Sequence, residues 1–194
     1  MRAFIAIELS NEIRCSLAQI ESHLKYSGAD IKWAEKDNIH LTLKFLGEIT
    51  EEKSEKIKYI LDEIAKQTKP FELSLKISKE ESIPFLGAFP NLNHPRVIWL
   101  GLDKGAAESR LVAEKVDDAL LKIGFQKESR PFAAHLTIGR VRSPKNKEAL
   151  KEKISSLQLK DYGLQLIDVI TLFQSTLTPK GPIYTKIHES KLIN

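Results

Sequence analysis

Two histidines and two threonines recur in one arrangement, His40-Leu41-Thr42-Leu43 and His135-Leu136-Thr137-Ile138, 95 residues apart in a chain of 194. Side chains two apart on a strand share a face, so each His stands beside its Thr, with Lys44 next to the first pair. Ile39, Leu41, Leu43 and Phe45 take the opposite face. In the second copy Phe132, Ala134, Leu136 and Ile138 do so, leaving His135, Thr137 and Gly139 together. A pseudo-twofold axis between the copies would bring two imidazoles and two hydroxyls into a single cleft. Such a set can run general acid–base chemistry on a phosphate. One imidazole takes a proton from the attacking oxygen, the other gives one to the leaving oxygen, and the threonines donate to non-bridging oxygens.

A lone His-x-Thr says little, because half-buried strands favour Thr and tolerate His. Thr makes up 8 of the 194 residues. Two of five histidines with Thr two positions on, each inside the same local pattern, therefore points to function. The other three read as surface or structural: His23 on the polar side of a helix, His94 in a turn-rich Asn-Leu-Asn-His-Pro run, and His188 near the C-terminus. Two imidazoles with no Asp, Glu or Cys at ligand spacing disfavour a metal centre. Neither a phosphate-binding Gly-x-x-x-x-Gly-Lys-Ser/Thr loop nor a Gly-x-Ser-x-Gly elbow is present. No cofactor is expected. Cys15, the single cysteine, rules out an internal disulfide and reads as filler within a helix.

The elements that must position this set read as α+β. Four amphipathic helices are expected. The first has Ser10 or Asn11 as cap and Ile13, Leu17, Ile20 and Leu24 as its stripe; the second has Thr50 as cap and Ile57, Ile60, Leu61 and Ile64. A third spans about 105–123, and a shorter one carries Leu150, Ile154 and Leu157. Strands are expected at 2–7, 31–34, 39–46, 71–77, 97–102, 132–141, 164–173 and 183–188, with a packed loop at 84–90. At the same offset of 95, Phe4-Ile5-Ala6-Ile7-Glu8 falls on Trp99-Leu100-Gly101-Leu102-Asp103. The order of elements around both His-containing strands is the same. A duplicated unit follows: one domain over 1–194 with two pseudo-twofold-related lobes. Each lobe is a small antiparallel sheet with helices on its outer face, and the cleft lies between the sheets.

At 42% apolar and 29% charged, with a net charge of +4, the chain suits a folded domain with a mild attraction for polyanions. No apolar run approaches the ~18 residues of a membrane helix, and the N-terminal apolar stretch meets Glu8 too early for a secretory signal. One cysteine fits a reducing, cytoplasmic setting. The abundance of Lys and Glu (23 and 18, against 6 Gln) resembles the bias of heat-loving organisms.

The segments His40 to Glu48 and Arg130 to Arg140 closely resemble the paired signatures of the 2H phosphoesterase superfamily. Within it the chain looks like the RNA 2′,3′-cyclic phosphodiesterases, the 2′-5′ RNA ligase (LigT-like) family. The opening Arg2-Ala3-Phe4-Ile5-Ala6-Ile7 and the segments Phe89-Pro90 and Pro95 to Gly101 match as well. The resemblance implies opening of a terminal ribose 2′,3′-cyclic phosphate to a 2′-phosphate without metal or nucleotide cofactor. It makes His40 the proton donor to the departing 3′-oxygen and His135 the proton acceptor from water. Thr42, Thr137 and Arg140 would hold the phosphate, and Phe45 would stack on the terminal base. The family pattern usually carries Pro before the second His, where this chain has Ala134.

Simple alternation conflicts with two of these roles, since it puts Phe45 and Arg140 on the core face. A bulge at each strand end, near Gly47 and Gly139, would turn both back to the cleft. Three alternatives stay open: reverse 2′-5′ ligation, hydrolysis of a small cyclic nucleotide such as ADP-ribose 1″,2″-cyclic phosphate, and a non-catalytic module that binds RNA ends. A two-histidine mechanism predicts a bell-shaped kcat/KM profile with both limbs between roughly pH 5 and 8.5. A small fold that satisfies its own twofold suggests a monomer without obligate protein partners.

Overall fold

The computed structural model describes residues 1–75, 85–157, 163–179 and 181–193. β1 (Arg2–Glu8) runs into α1 (Asn11–Lys25), whose start is fixed by the Ser10 hydroxyl accepting the Ile13 N–H at 3.2 Å. β2 (Ile31–Trp33) and a 3-10 turn at Lys36–Asn38 lead to β3 (His40–Glu48). Thr50 caps α2 (Glu51–Lys66) by accepting the Lys53 N–H at 3.2 Å, and β4 (Phe71–Ser74) closes the first half. The second half holds β5 (Leu86–Phe89), β6 (Val97–Gly101), α3 (Ala106–Leu121), β7 (His135–Val141), α4 (Lys147–Ser156) and β8 (Leu164–Ile167). β9 (Val169–Thr178) and β10 (Gly181–Lys191) form a final hairpin.

All pairings among the described strands are antiparallel. One sheet has the order β10-β9-β1-β3, a second has β2-β7-β6-β5, and β4 pairs with β8 in a short ribbon. The duplicated order is visible: β1, α1, β3, α2 and β4 answer to β6, α3, β7, α4 and β8, and the last strands of the two copies pair with each other. The two halves also exchange parts. β2 pairs with β7 in the second sheet, and α3 packs against α2 and β3 behind the first. α1 lies against α4, where the His23 imidazole meets the Lys153 carbonyl at 3.2 Å.

β1 shows how one strand serves both core and cleft. Ala3, Ile5 and Ile7 enter the main core with the helix stripes. Phe4 and Ala6 point the other way and form a small separate apolar cluster with Phe173 and Tyr184. β10 is clamped to α2 by Asp62, which accepts from His188 Nε2 and Ser190 Oγ, each at 2.7 Å. No helix among the described residues is long and apolar enough to cross a membrane.

Several sequence expectations change. The strand expected from Phe132 begins at His135, because residues 132–134 carry no ladder bonds. The run 164–173 breaks at Asp168 into β8 and β9, each in a different sheet. The strand 71–77 ends at Ser74, with 76 and 77 outside the described residues. In the expected loop, Leu86–Phe89 is a strand paired with β6, while Pro84 lies outside the described residues. Cys15 is exposed, with Lys36 Nζ 3.1 Å from its sulfur, so it fills no core.

Candidate active site

Both His-Thr strands carry a bulge, and the two bulges fall at equivalent positions. Along β1 and β3, Ile5 pairs with Lys44 and Ala6 with Thr42, so Leu43 is the extra residue. Along β6 and β7, Ile98 pairs with Gly139 and Trp99 with Thr137, so Ile138 is extra. An extra residue reverses the alternation beyond it. Phe45 is therefore 65% exposed, and Arg140 is exposed on the same face as His135 and Thr137. Phe45 and Arg140 stand 95 apart, so they are counterparts in the repeat.

The same bulges overturn two placements made by alternation. Lys44 does not face the cleft; it is 5% exposed and reaches back to Asp117 at 2.5 Å, Glu128 at 3.1 Å and the Gln126 carbonyl at 2.8 Å. Its counterpart Gly139 is also buried, under β2. A Cβ there would meet Ile31 Cγ2 at 2.7 Å and Trp33 Cε3 at 3.2 Å. β3 carries a second bulge at Leu46, beside Gly47 where the sequence suggested one, but the bulge that separates Phe45 from the alternation of His40 and Thr42 is the one at Leu43.

The two imidazoles are held alike. His40 Nδ1 lies 2.8 Å from the Asn38 carbonyl and His135 Nδ1 lies 2.7 Å from the Ala133 carbonyl, each two residues upstream. A carbonyl can only accept, so Nδ1 carries the hydrogen in both rings. Nε2 of each ring is then left to give or take a proton. β3 and β7 come together between the sheets. Thr42 and Thr137 stand beside their histidines, partly exposed, and no described residue hydrogen-bonds either hydroxyl.

Aromatic rings wall both histidines, unequally. Phe4 stacks on His40 at 4.7 Å and Tyr184 meets it edge-on at 5.2 Å. Phe89 meets His135 edge-on at 5.1 Å, while Trp99, the counterpart of Phe4, is 6.4 Å away. The tighter box shows in the protonation of His40. Burial pushes its pKa down to about 4, the Arg14 guanidinium acts in the same direction, and the Asn38 carbonyl opposes both. The Tyr184 hydroxyl is pushed up by burial against the pull of Arg140 and Arg2, so charges from both sheets reach it. A cavity of about 340 Å³ opens beside His40 between Arg14, Asn38, Tyr184 and Lys186.

The family pattern described as LigT-like phosphoesterase matches this chain twice, over residues 7–99 and 100–184. The chain belongs to this family. Its two matches meet between Trp99 and Leu100, in line with the duplicated unit. Curated relatives of this LigT-like phosphoesterase include a Methanocaldococcus jannaschii protein, 40% identical over 191 residues covering 97% of this chain and 99% of that one. A Methanothermobacter thermautotrophicus protein is 35% identical and covers 99% of both chains. Both are named RNA 2′,3′-cyclic phosphodiesterase. Among solved structures, a Thermus thermophilus protein aligns over 99% of this chain and 98% of its own, with a TM-score of 0.78 at 25% identity. Escherichia coli LigT complexed with 3′-AMP has a TM-score of 0.75 at 24% identity over 100% of this chain and 98% of that one, a likeness of fold.

Sequence reading of this LigT-like phosphoesterase missed Asn38, Tyr184, Phe89 and the roles of Phe4 and Trp99. The last two had a signal, since they occupy equivalent places in the repeat, each on the strand that pairs with a histidine strand. Tyr184 had none: it lies 144 residues from His40 and arrives through the β9–β10 hairpin.

Proposed function

We propose that this chain is an RNA 2′,3′-cyclic phosphodiesterase that works as one bilobal unit by two-histidine acid–base catalysis. The observation that carries the reading is the pair of imidazoles, each tied through Nδ1 to a backbone carbonyl and each presenting Nε2. The names of its relatives over nearly its whole length point the same way. His135 takes a proton from water, whose oxygen attacks phosphorus; the bond from phosphorus to O3′ breaks, and His40 gives its proton to that oxygen. The products are a 2′-phosphomonoester and a 3′-hydroxyl. Thr42, Thr137 and Arg140 donate to the phosphate oxygens, where negative charge is concentrated. Phe45, exposed beside them, offers a face for the terminal base. None of these steps calls for a metal. If an RNA 5′-hydroxyl takes the place of water, the same transfers leave a 2′-5′ linkage. The setting is a cytoplasmic monomer acting on RNA ends. The test is conversion of a 2′,3′-cyclic mononucleotide to its 2′-phosphate, with the double histidine variant as reference. Binding without turnover would leave an RNA-end-binding module instead.

Burial of His40 places one limb of the pH profile. In kcat/KM, which reports the free protein, that limb falls at about pH 4, outside the range the sequence suggested. A bound phosphate favours the charged imidazole, so in kcat the limb moves to higher pH. A histidine NMR titration checks this directly. His40 should titrate near 4 alone and at a higher pH with a 2′-phosphate product. An ordinary imidazole value in the free protein would refute the burial account.

Arg140→Ala should lower kcat/KM by about 10–100-fold, since charge-assisted bonds to phosphate are worth about 1.5–3 kcal/mol. KM should rise and kcat fall together, because the guanidinium grips phosphate in ground and transition states. Arg140→Lys should recover only part, lacking the planar fork. Stability should hardly change, as Arg140 is exposed and forms no ion pair among the described residues. Steady-state kinetics alongside thermal unfolding separates the two effects.

A further inference from the structure

The carbonyl that orients His40 belongs to a short turn held to α1 by Lys36 Nζ against Cys15 Sγ at 3.1 Å and by Arg14 against Asp37 at 3.8 Å, side-chain contacts that do not involve Asn38. Asn38 ends the 3-10 turn between β2 in one sheet and β3 in the other. Its own backbone N–H reaches only the Glu35 carbonyl within that turn, at 2.8 Å. The turn meets the rest of the first sheet at β10, where the Asn38 side-chain amide donates to the Pro182 carbonyl at 3.0 Å. Two residues beyond Pro182, Tyr184 lies edge-on to the His40 ring. One side chain therefore ties together the two walls that bound the imidazole. At the equivalent place in the second half stands Ala133, whose carbonyl holds His135 and whose side chain can tie nothing.

We propose that Asn38 is a positioning residue: by anchoring its backbone to β10 it fixes the carbonyl that selects the His40 tautomer and aims Nε2 into the cleft. The physical need follows from the ring itself. Stacking on Phe4 fixes the plane of the imidazole but does not distinguish its two nitrogens; the hydrogen bond at Nδ1 does. A tautomer error or a small displacement at a proton-transfer atom costs rate more than binding. The inference rests on the two-histidine reading and adds an asymmetry to it: His40 is held through a side chain, His135 is not.

Asn38→Ala should lower kcat on a 2′,3′-cyclic mononucleotide by about 10–100-fold with KM within about twofold. Asn38→Gln, which keeps an amide donor, should recover part of the loss. In ¹⁵N-histidine spectra of the folded proteins, wild-type His40 should show a protonated Nδ1, and Asn38→Ala should show a mixture of tautomers. A wild-type rate in Asn38→Ala, an unchanged His40 spectrum, or a loss confined to KM would overturn the proposal. The last outcome would make Asn38 a substrate contact in the cavity it lines. Should the wild-type protein turn over no cyclic phosphate, the function fails, while the tautomer measurement still decides on Asn38.

Discussion

Replacing His40 or His135 by alanine is expected to lower turnover of a 2′,3′-cyclic phosphate by ~10²–10⁴-fold each, the range for loss of a general acid or base. Neither side chain belongs to the main core, so both proteins should fold. His40→Ala removes the ring that Phe4 and Tyr184 pack on, and His40→Asn is the companion variant that keeps a donor near the Asn38 carbonyl without a titrating group. The double variant should be little slower than the worse single one. Groups that act in one proton-transfer event do not contribute additively. Rates measured beside circular dichroism decide the matter. Near-normal turnover in either folded variant would end the acid–base assignment.

The second large effect lies away from the cleft. Lys44→Met should cost about 3 kcal/mol of stability, the lower end of what removing one partner of a buried ion pair costs. Lys44 and Asp117 are almost fully buried, and truncation strands the carboxylate. The cost stays at the lower end because the Glu128 backbone N–H still donates to Asp117 Oδ2 at 3.0 Å, and Glu128 itself faces solvent. For a chain of this length that shift lowers Tm by about 6–12 °C. Adding Asp117→Leu should return much of the loss, because an apolar pair can replace a buried ion pair at little or no net cost. Thermal unfolding of the single and double variants checks both statements. A Tm unchanged in Lys44→Met would mean that the contact tying β3 to α3 contributes nothing. Turnover should survive, since Lys44 points away from the histidines.

The contrast between Lys44 and Phe45 shows where reading the sequence stops. Residue types and spacing were enough to put His40 beside Thr42 and His135 beside Thr137, because a two-residue period places each pair on one face whatever the rest of the fold does. The offset of 95 was enough to show a duplicated α+β unit, and Ser10 and Thr50 marked helix starts through local hydrogen bonds. Parity beyond Thr42 and Thr137 was not legible. Leu43 and Ile138 are ordinary strand residues, and whether either is the extra residue of a bulge depends on register with β1 and β6. Those registers, set by tertiary packing, sent Phe45 and Arg140 to the cleft and Lys44 and Gly139 inward. The resemblance had implied the cleft side for the first two against simple alternation, and both side chains are exposed; nothing had placed the second two. The sheet partner of β2, the break at Asp168 and the arrival of Tyr184 over His40 likewise rest on contacts between residues far apart in the chain. A short-range pattern determines which residues can do chemistry. Long-range pairing decides which of their neighbours share the cleft and how each imidazole is aimed.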